Sequence, residues 1–244
     1  MSLIAAERIK LTSIRSPWWC AAFGVVATVG VGSISMAGGE DTGFSGVPST
    51  QLGYGLGMAV VMVMATLAVT TEYSVGMIRT TFLAAPARGA VLLAKTLVVA
   101  LAAGLVGLLA AFGSWALGLV LMPGADLALH GPAEWRQVGG VGLVYLVAAV
   151  FAVAVGILVR HTAGAVALVL TWALMVEPLL AMIPGFEPAA RWLPFQAAKQ
   201  FLLGGRPADG AGLTEQPWVA MGYFAAVSGG LLAIAIAVAK RRDA

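Results

Sequence analysis

Charge is scarce in this sequence. Asp, Glu, Lys and Arg make up 10% of its 244 residues, against about 25% in soluble proteins. With a mean hydropathy of +0.95, that scarcity excludes an ordinary water-soluble domain. Cysteine occurs once, at Cys20, inside an apolar run, so a disulfide within the chain is excluded and the thiol reads as a small packing residue. Histidine occurs twice, at His130 and His161, far apart and without neighbours at metal-ligand spacing, so no metal site is expected. Catalytic triads and paired carboxylates are also missing. So is the two-residue alternation of a transmembrane barrel.

What the chain does have is length of apolar sequence. Runs near residues 18–36, 52–71, 96–121, 138–159, 162–182 and 217–239 each approach the roughly 20 residues that a helix needs to cross a ~30 Å hydrocarbon layer. An unpaired strand edge cannot persist in lipid, so the runs are read as helices. The expected fold class is an all-α integral membrane protein, a single domain over 1–244 with six transmembrane helices.

Lysine and arginine set the expected orientation. With the N-terminus inside, the inner segments hold Arg8, Lys10, Arg15, Arg79, Arg88, Lys95, Arg160, Lys240, Arg241 and Arg242, and the outer ones only Arg136, Arg191, Lys199 and Arg206. The acids Glu40, Asp41, Asp126, Glu134, Glu187, Asp209 and Glu215 fall outside. Both termini are therefore expected in the cytoplasm, and the chain in the plasma (inner) membrane. Trp18 and Trp19 mark the inner edge, and Trp115, Trp135, Trp192 and Trp218 the outer one, where amphipathic rings settle. Trp172 is the exception, deep in the fifth run and read first as a packing residue. A cleaved leader is not expected, because the basic start extends to Arg15.

Three stretches are not spans. Residues 1–17 place Ile4, Leu11 and Ile14 on one helical face beside Arg8 and Arg15, which predicts an amphipathic helix lying in the inner interface. Glu7 shares the apolar stripe; a buried basic partner such as an arginine, or a local pair with Lys10, accounts for it. Residues 72–90 form the largest inner loop, with Val75, Ile78 and Phe82 as a stripe beside Glu72, Gly76 and Arg79. The loop at 183–216 carries aromatics in "RWLPFQAAKQFLL" and predicts short helices resting on the outer leaflet. "GAVLLAKT" at residues 89–96 approaches a phosphate-binding loop, but Ala94 stands where the second glycine is needed and no strand precedes it. Lys95 is read instead as a lysine whose ammonium reaches up to the membrane surface. Glu177, about 15 residues into the fifth run, has two readings: a residue of a transport pathway, or a pair with an outer-loop base such as Arg191. Gly53 and Gly57 read as close-packing positions between helices.

Together these pieces resemble the membrane subunit of the ABC-2 family of ATP-binding cassette transporters, of the bacterial drug-export and self-resistance kind. The resemblance runs the full length, and rests most on "TTEYSVGMIRTTFLAAPARGAVLLAKTLV", similar to the family's E-Y-x-x-G-x-I-R-x-T stretch followed by P-x-R and a lysine opening the third span. Met77 stands where a threonine is common. "AERIKLTSIRSPWW" and "WALMVEPLLAMIPG" followed by "RWLPFQAAKQ" also look like the family's pieces. The resemblance implies that Glu72, Tyr73, Val75, Gly76, Ile78, Arg79, Phe82 and Arg88 form a coupling segment seated on a separate ATPase subunit. The interfacial helix with Glu7, Arg8, Lys10 and Arg15 would buttress it.

The same resemblance implies a second copy of the chain or a paralogous permease. Between the two would run a substrate route with Met58, Met62, Trp172 and Glu177 as its candidates. ATP and Mg would bind the partner; this chain is expected to bind no cofactor, to catalyse nothing and to have no nucleic-acid partner. The expected cargo is a hydrophobic or amphipathic small molecule or a membrane lipid. The alternatives are a self-sufficient secondary carrier or channel, which calls for more ionisable residues in the membrane than Glu177 alone, and a membrane-embedded enzyme or other non-transport protein.

Overall fold

The computed structural model describes residues 3–13, 15–37, 46–74, 88–203 and 216–242, and among them every regular element is helical. In chain order these are α1 (Leu3–Ser13), α2 (Arg15–Ala37), α3 (Val47–Thr50), α4 (Tyr54–Ser74), α5 (Arg88–Leu121), α6 (Pro132–Val159), α7 (Thr162–Ala181), α8 (Glu187–Ala190), α9 (Pro194–Leu203) and α10 (Pro217–Arg242). Among the described residues six helices are long and apolar enough to cross a membrane: α2, α3 with α4, α5, α6, α7 and α10. The short helices at 187–190 and 194–203 fall where the long loop predicts them. The third span starts earlier than its apolar run, at Arg88 rather than near 96, so that Lys95 lies two turns inside the helix.

α6 is the hub. In its most apolar stretch 72% of residues are buried, against 22% for α2 and α7 and 33% for α10; it packs on α5, α4, α10 and α9. Its inner face runs through Val141, Tyr145, Ala148, Ala152 and Val155, mostly small residues at three- and four-residue spacing that let neighbours approach closely. Tyr145 is the polar pin of this core. Its hydroxyl donates to the Tyr54 carbonyl at 2.8 Å and lies 2.8 Å from Thr28 Oγ1, joining α2, α4 and α6. Gly57 faces that pin, and a methyl there would collide with Thr28 Oγ1 and the Tyr145 hydroxyl; one at Gly53 would strike the Thr28 carbonyl. Glycine is thus required at both positions by close approach.

The connection from α6 to α7 is only Arg160 and His161. Arg160 adopts a left-handed conformation (φ 57°) as the helix ends, and His161 Nδ1 caps the next helix by accepting the Gly164 N–H at 3.1 Å. At the other end of the bundle, Trp115 Nε1 donates to the Leu127 carbonyl at 2.8 Å and holds the 122–131 connection against α5. Trp135, Trp192 and Trp218 are exposed near that end, and Trp18 and Trp19 at the opposite one, the two belts expected at the faces of a bilayer. The beginning of α5 and the end of α10 adjoin, with the Lys240 side chain against Gly89.

Candidate functional site

The chain gathers four of its rare charges, three of them buried and Lys10 partly exposed. α1 brings Glu7 and Lys10, the end of α4 brings Glu72, and α5 brings Lys95. The Lys95 ammonium donates to Glu7 Oε2 at 2.6 Å and Glu72 Oε1 at 2.8 Å. Lys10 donates to Glu7 Oε1 at 3.1 Å and Glu72 Oε1 at 3.3 Å. Lys95 is 4% exposed, Glu7 6% and Glu72 8%. Two acids and two bases make the group neutral, which is how charges are tolerated out of water. Burial opposes the charge on Lys10, but bonding to Glu7 and the fields of Glu72 and Glu7 outweigh it, so its pKa lies above the ordinary lysine value.

This arrangement changes three expectations. Lys95 does not reach up to the membrane surface; it is turned inward because two carboxylates wait there. Glu7 has its buried basic partner, a lysine from α5 rather than an arginine, and also the local pair with Lys10. The Glu72 carboxylate points into the protein, between two lysines, and is not displayed as a docking charge; its Oε2 is buried without a hydrogen-bond partner. Arg8 and Arg15 are exposed. Tyr73 is half-buried beneath the Arg160 guanidinium, 5.1 Å from its ring centre. Arg88 opens α5. Val75, Gly76, Ile78, Arg79 and Phe82 lie outside the described residues. Lys95 lies two turns after Arg88 on a helix face shared with Leu92 and Val99, both buried, and nothing in its local sequence names the acids that meet it there.

Beside the cluster a cavity of about 520 Å³ opens between α1, the start of α2, α4 and α5. Its walls are apolar apart from the four charged residues and the hydroxyls of Ser13, Ser16 and Thr71.

A second buried acid lies in α7. Glu177 is fully buried; its Oε1 accepts the Trp172 Nε1–H at 2.8 Å, and its Oε2 accepts the backbone N–H groups of Phe195 and Gln196 at 2.9 and 3.1 Å. The carboxylate thus caps α9 from a distance in sequence, filling donors that a helix start leaves open and meeting the positive end of its dipole. Of its two readings, pairing with an outer segment matches this geometry, although the partners are backbone amides and an indole, and not Arg191. Pro178 and the acid distort α7 into a wide π-helical turn at Trp172–Val176, where the Glu177 N–H reaches back to the Trp172 carbonyl.

The four pathway candidates do not meet in one space. Met58 and Met62 are buried in the helical core, and Glu177 is enclosed. Trp172 is 38% exposed and borders an apolar groove of about 690 Å³ between α6, α7 and α10. Among the described residues, no three His, Cys, Asp or Glu side chains gather as metal ligands would.

The fold defines a class: among the described residues every regular element is helical, and six helices are long and apolar enough to span a membrane, as in a multi-pass membrane protein. Beyond that class, no protein family, no curated protein and no solved structure matches the chain.

Proposed function

We propose that the chain is the membrane-spanning permease subunit of an ATP-binding cassette exporter of the ABC-2 kind. It works paired with a second copy or a paralogous permease and is driven by a separate ATPase that carries ATP and Mg. It performs no chemistry itself and moves a hydrophobic or amphipathic compound, or a lipid, outward. Both termini lie in the cytoplasm of the plasma (inner) membrane, on the strength of the lysine and arginine distribution.

The observation that carries the reading is the Glu7–Lys95–Glu72 cluster. A bundle moved by an external motor needs a stiff receiver at the membrane face. The cluster ties α1, the end of α4 and the start of α5 into one unit. It directly flanks residues 75–87, which carry Ile78, Arg79 and Phe82. Force applied to that segment reaches both helices through a neutral, buried joint, and packed helices respond by switching between discrete arrangements. Glu72 serves as part of the joint, and the docking charge passes to Arg79. Of the pathway candidates Trp172 keeps that assignment, because it borders an open apolar groove. A self-sufficient carrier draws less support, since all the bonding of Glu177 is used within the protein.

The test is Arg79→Ala with Phe82→Ala, which leaves the buried joint intact. Co-purification of an ATPase encoded beside this chain, and the transport it drives, should fall at least tenfold, about 1.4 kcal/mol of lost contact. Full transport by the isolated chain in nucleotide-free vesicles refutes the reading.

A further inference from the structure

α1 is set against the bundle by charge more than by apolar contact. Of its residues whose burial is described, Glu7 alone is buried, while Ile4 and Ile9 are 49% and 48% exposed. The side chain set deepest is thus a carboxylate, where an amphipathic helix ordinarily sets an apolar one. α1 ends at Ser13 and α2 begins at Arg15; the Trp18 indole N–H donates to the Thr12 carbonyl at 3.2 Å and fastens the last turn of α1 to α2. At its middle α1 is held by the ion cluster. Between helix and bundle lies the cavity of about 520 Å³, with Glu7, Ile9, Lys10 and Ser13 of α1 as one wall. Close packing therefore does not hold α1 down over that area.

The four charges of the cluster sort by element. Glu7 and Lys10 both belong to α1 and bond each other at 3.1 Å; Glu72 and Lys95 belong to the bundle, on α4 and α5, and bond each other at 2.8 Å. Among the described residues two ion pairs cross from α1 to the bundle, Lys95 to Glu7 at 2.6 Å and Lys10 to Glu72 at 3.3 Å. Cutting those two leaves a neutral pair on each side and no lone charge, which avoids the penalty of an unpaired buried ion. The assembled cluster also keeps Glu72 Oε2 buried and, among the described residues, without a hydrogen-bond partner. That cost offsets part of the crossing bonds.

We propose that α1 is a releasable strap. It swings about its junction with α2, the cluster divides into the pairs Glu7–Lys10 and Glu72–Lys95, and the cavity loses its α1 wall and opens on that side. The Lys95–Glu72 bond stays in place in both positions, so the corner between α4 and α5 keeps its shape while the strap moves. Both positions are electrically complete, so desolvation of a stranded charge forbids neither. The strap depends on the placement of these four charges alone, whatever the cargo and whatever drives the chain.

The experiment exchanges the charges of the strap. Glu7→Lys with Lys10→Glu keeps a neutral pair within α1 and the net charge of the chain, but sets an ammonium against Lys95 and a carboxylate against Glu72. Spin labels on Ile4→Cys and Ala237→Cys, in a full-length Cys20→Ser background, report the position of the strap by pulsed electron resonance. Ser74→Cys with Ala237→Cys is the pair that should not move; all three labelled positions are exposed. Ile4 lies nine residues from Ser13, roughly 13 Å along a helix, so release should shift its main distance by about 5 Å or more. In the exchanged chain the shifted distance should predominate. Adding Glu72→Lys with Lys95→Glu restores opposite charges across both contacts and should return the original distance. An unchanged Ile4 distance in the exchanged chain, an equal shift of the Ser74 pair, or a folded fourfold reversal that stays released overturns the proposal. So does an exchanged chain that no longer folds, since a strap that can leave is not needed for the bundle. The unsubstituted and exchanged chains decide the matter where the fourfold reversal does not fold.

Discussion

Replacing Lys95 by methionine is the sharpest probe of the buried joint. The substitution keeps side-chain bulk and removes one charge, leaving Glu7 Oε2 and Glu72 Oε1 without their 2.6 and 2.8 Å partner. Lys10 remains, but at 3.1 and 3.3 Å and with a side chain 35% exposed, it compensates only partly. Breaking a buried pair by removing one member typically costs about 3–5 kcal/mol. We expect that loss near neutral pH, because all three residues are at least nine-tenths buried. The assay is reversible unfolding in mixed micelles followed by tryptophan fluorescence, with Glu7→Gln and the Glu7→Gln/Lys95→Met pair completing a double-mutant cycle. A loss below about 1 kcal/mol, or single-mutant losses that simply add, would refute the idea that these charges act as one unit.

Other expectations are local. Glu177→Ala strands three donors, the Trp172 indole and the Phe195 and Gln196 amides; at about 1–3 kcal/mol for each buried unsatisfied group, expression or thermal stability should drop sharply. Glu177→Gln keeps one acceptor oxygen, enough for the Phe195 and Gln196 amides but not also for the Trp172 indole N–H, so its loss should be smaller than that of Glu177→Ala, read by the same melting curves. Gly57→Ala drives a methyl into Thr28 and Tyr145, and overpacking of this kind costs typically 1–3 kcal/mol; a neutral result in thermal unfolding means that α2 and α4 are not in close contact there.

The spans were legible because lipid imposes a simple rule, about 20 apolar residues in a row, and 52–71 or 162–182 obey it. Boundaries slipped where helix continues past the apolar stretch: α5 begins at Arg88 because a helix does not stop merely where charge appears. Glu7 was conspicuous as an acid on an apolar stripe, and a local pattern suffices to see that. Its partner was not legible, since Lys95 lies 88 residues away and a lone lysine near a span end ordinarily reaches for the surface. Glu177 shows the same boundary. Its anomaly is written locally, but a backbone N–H that donates to it carries no side-chain signature, so Phe195 and Gln196 could not be picked out.

The cap on α9 also bears on how the chain is made. Glu177 leaves the ribosome 18 residues ahead of Phe195, a delay of about 1–4 s at ordinary translation speeds of ~5–20 residues per second. Throughout that interval the backbone N–H groups that donate to it are still inside the ribosome, and α7 completes its buried polar bonding only once the segment after it has emerged and folded back.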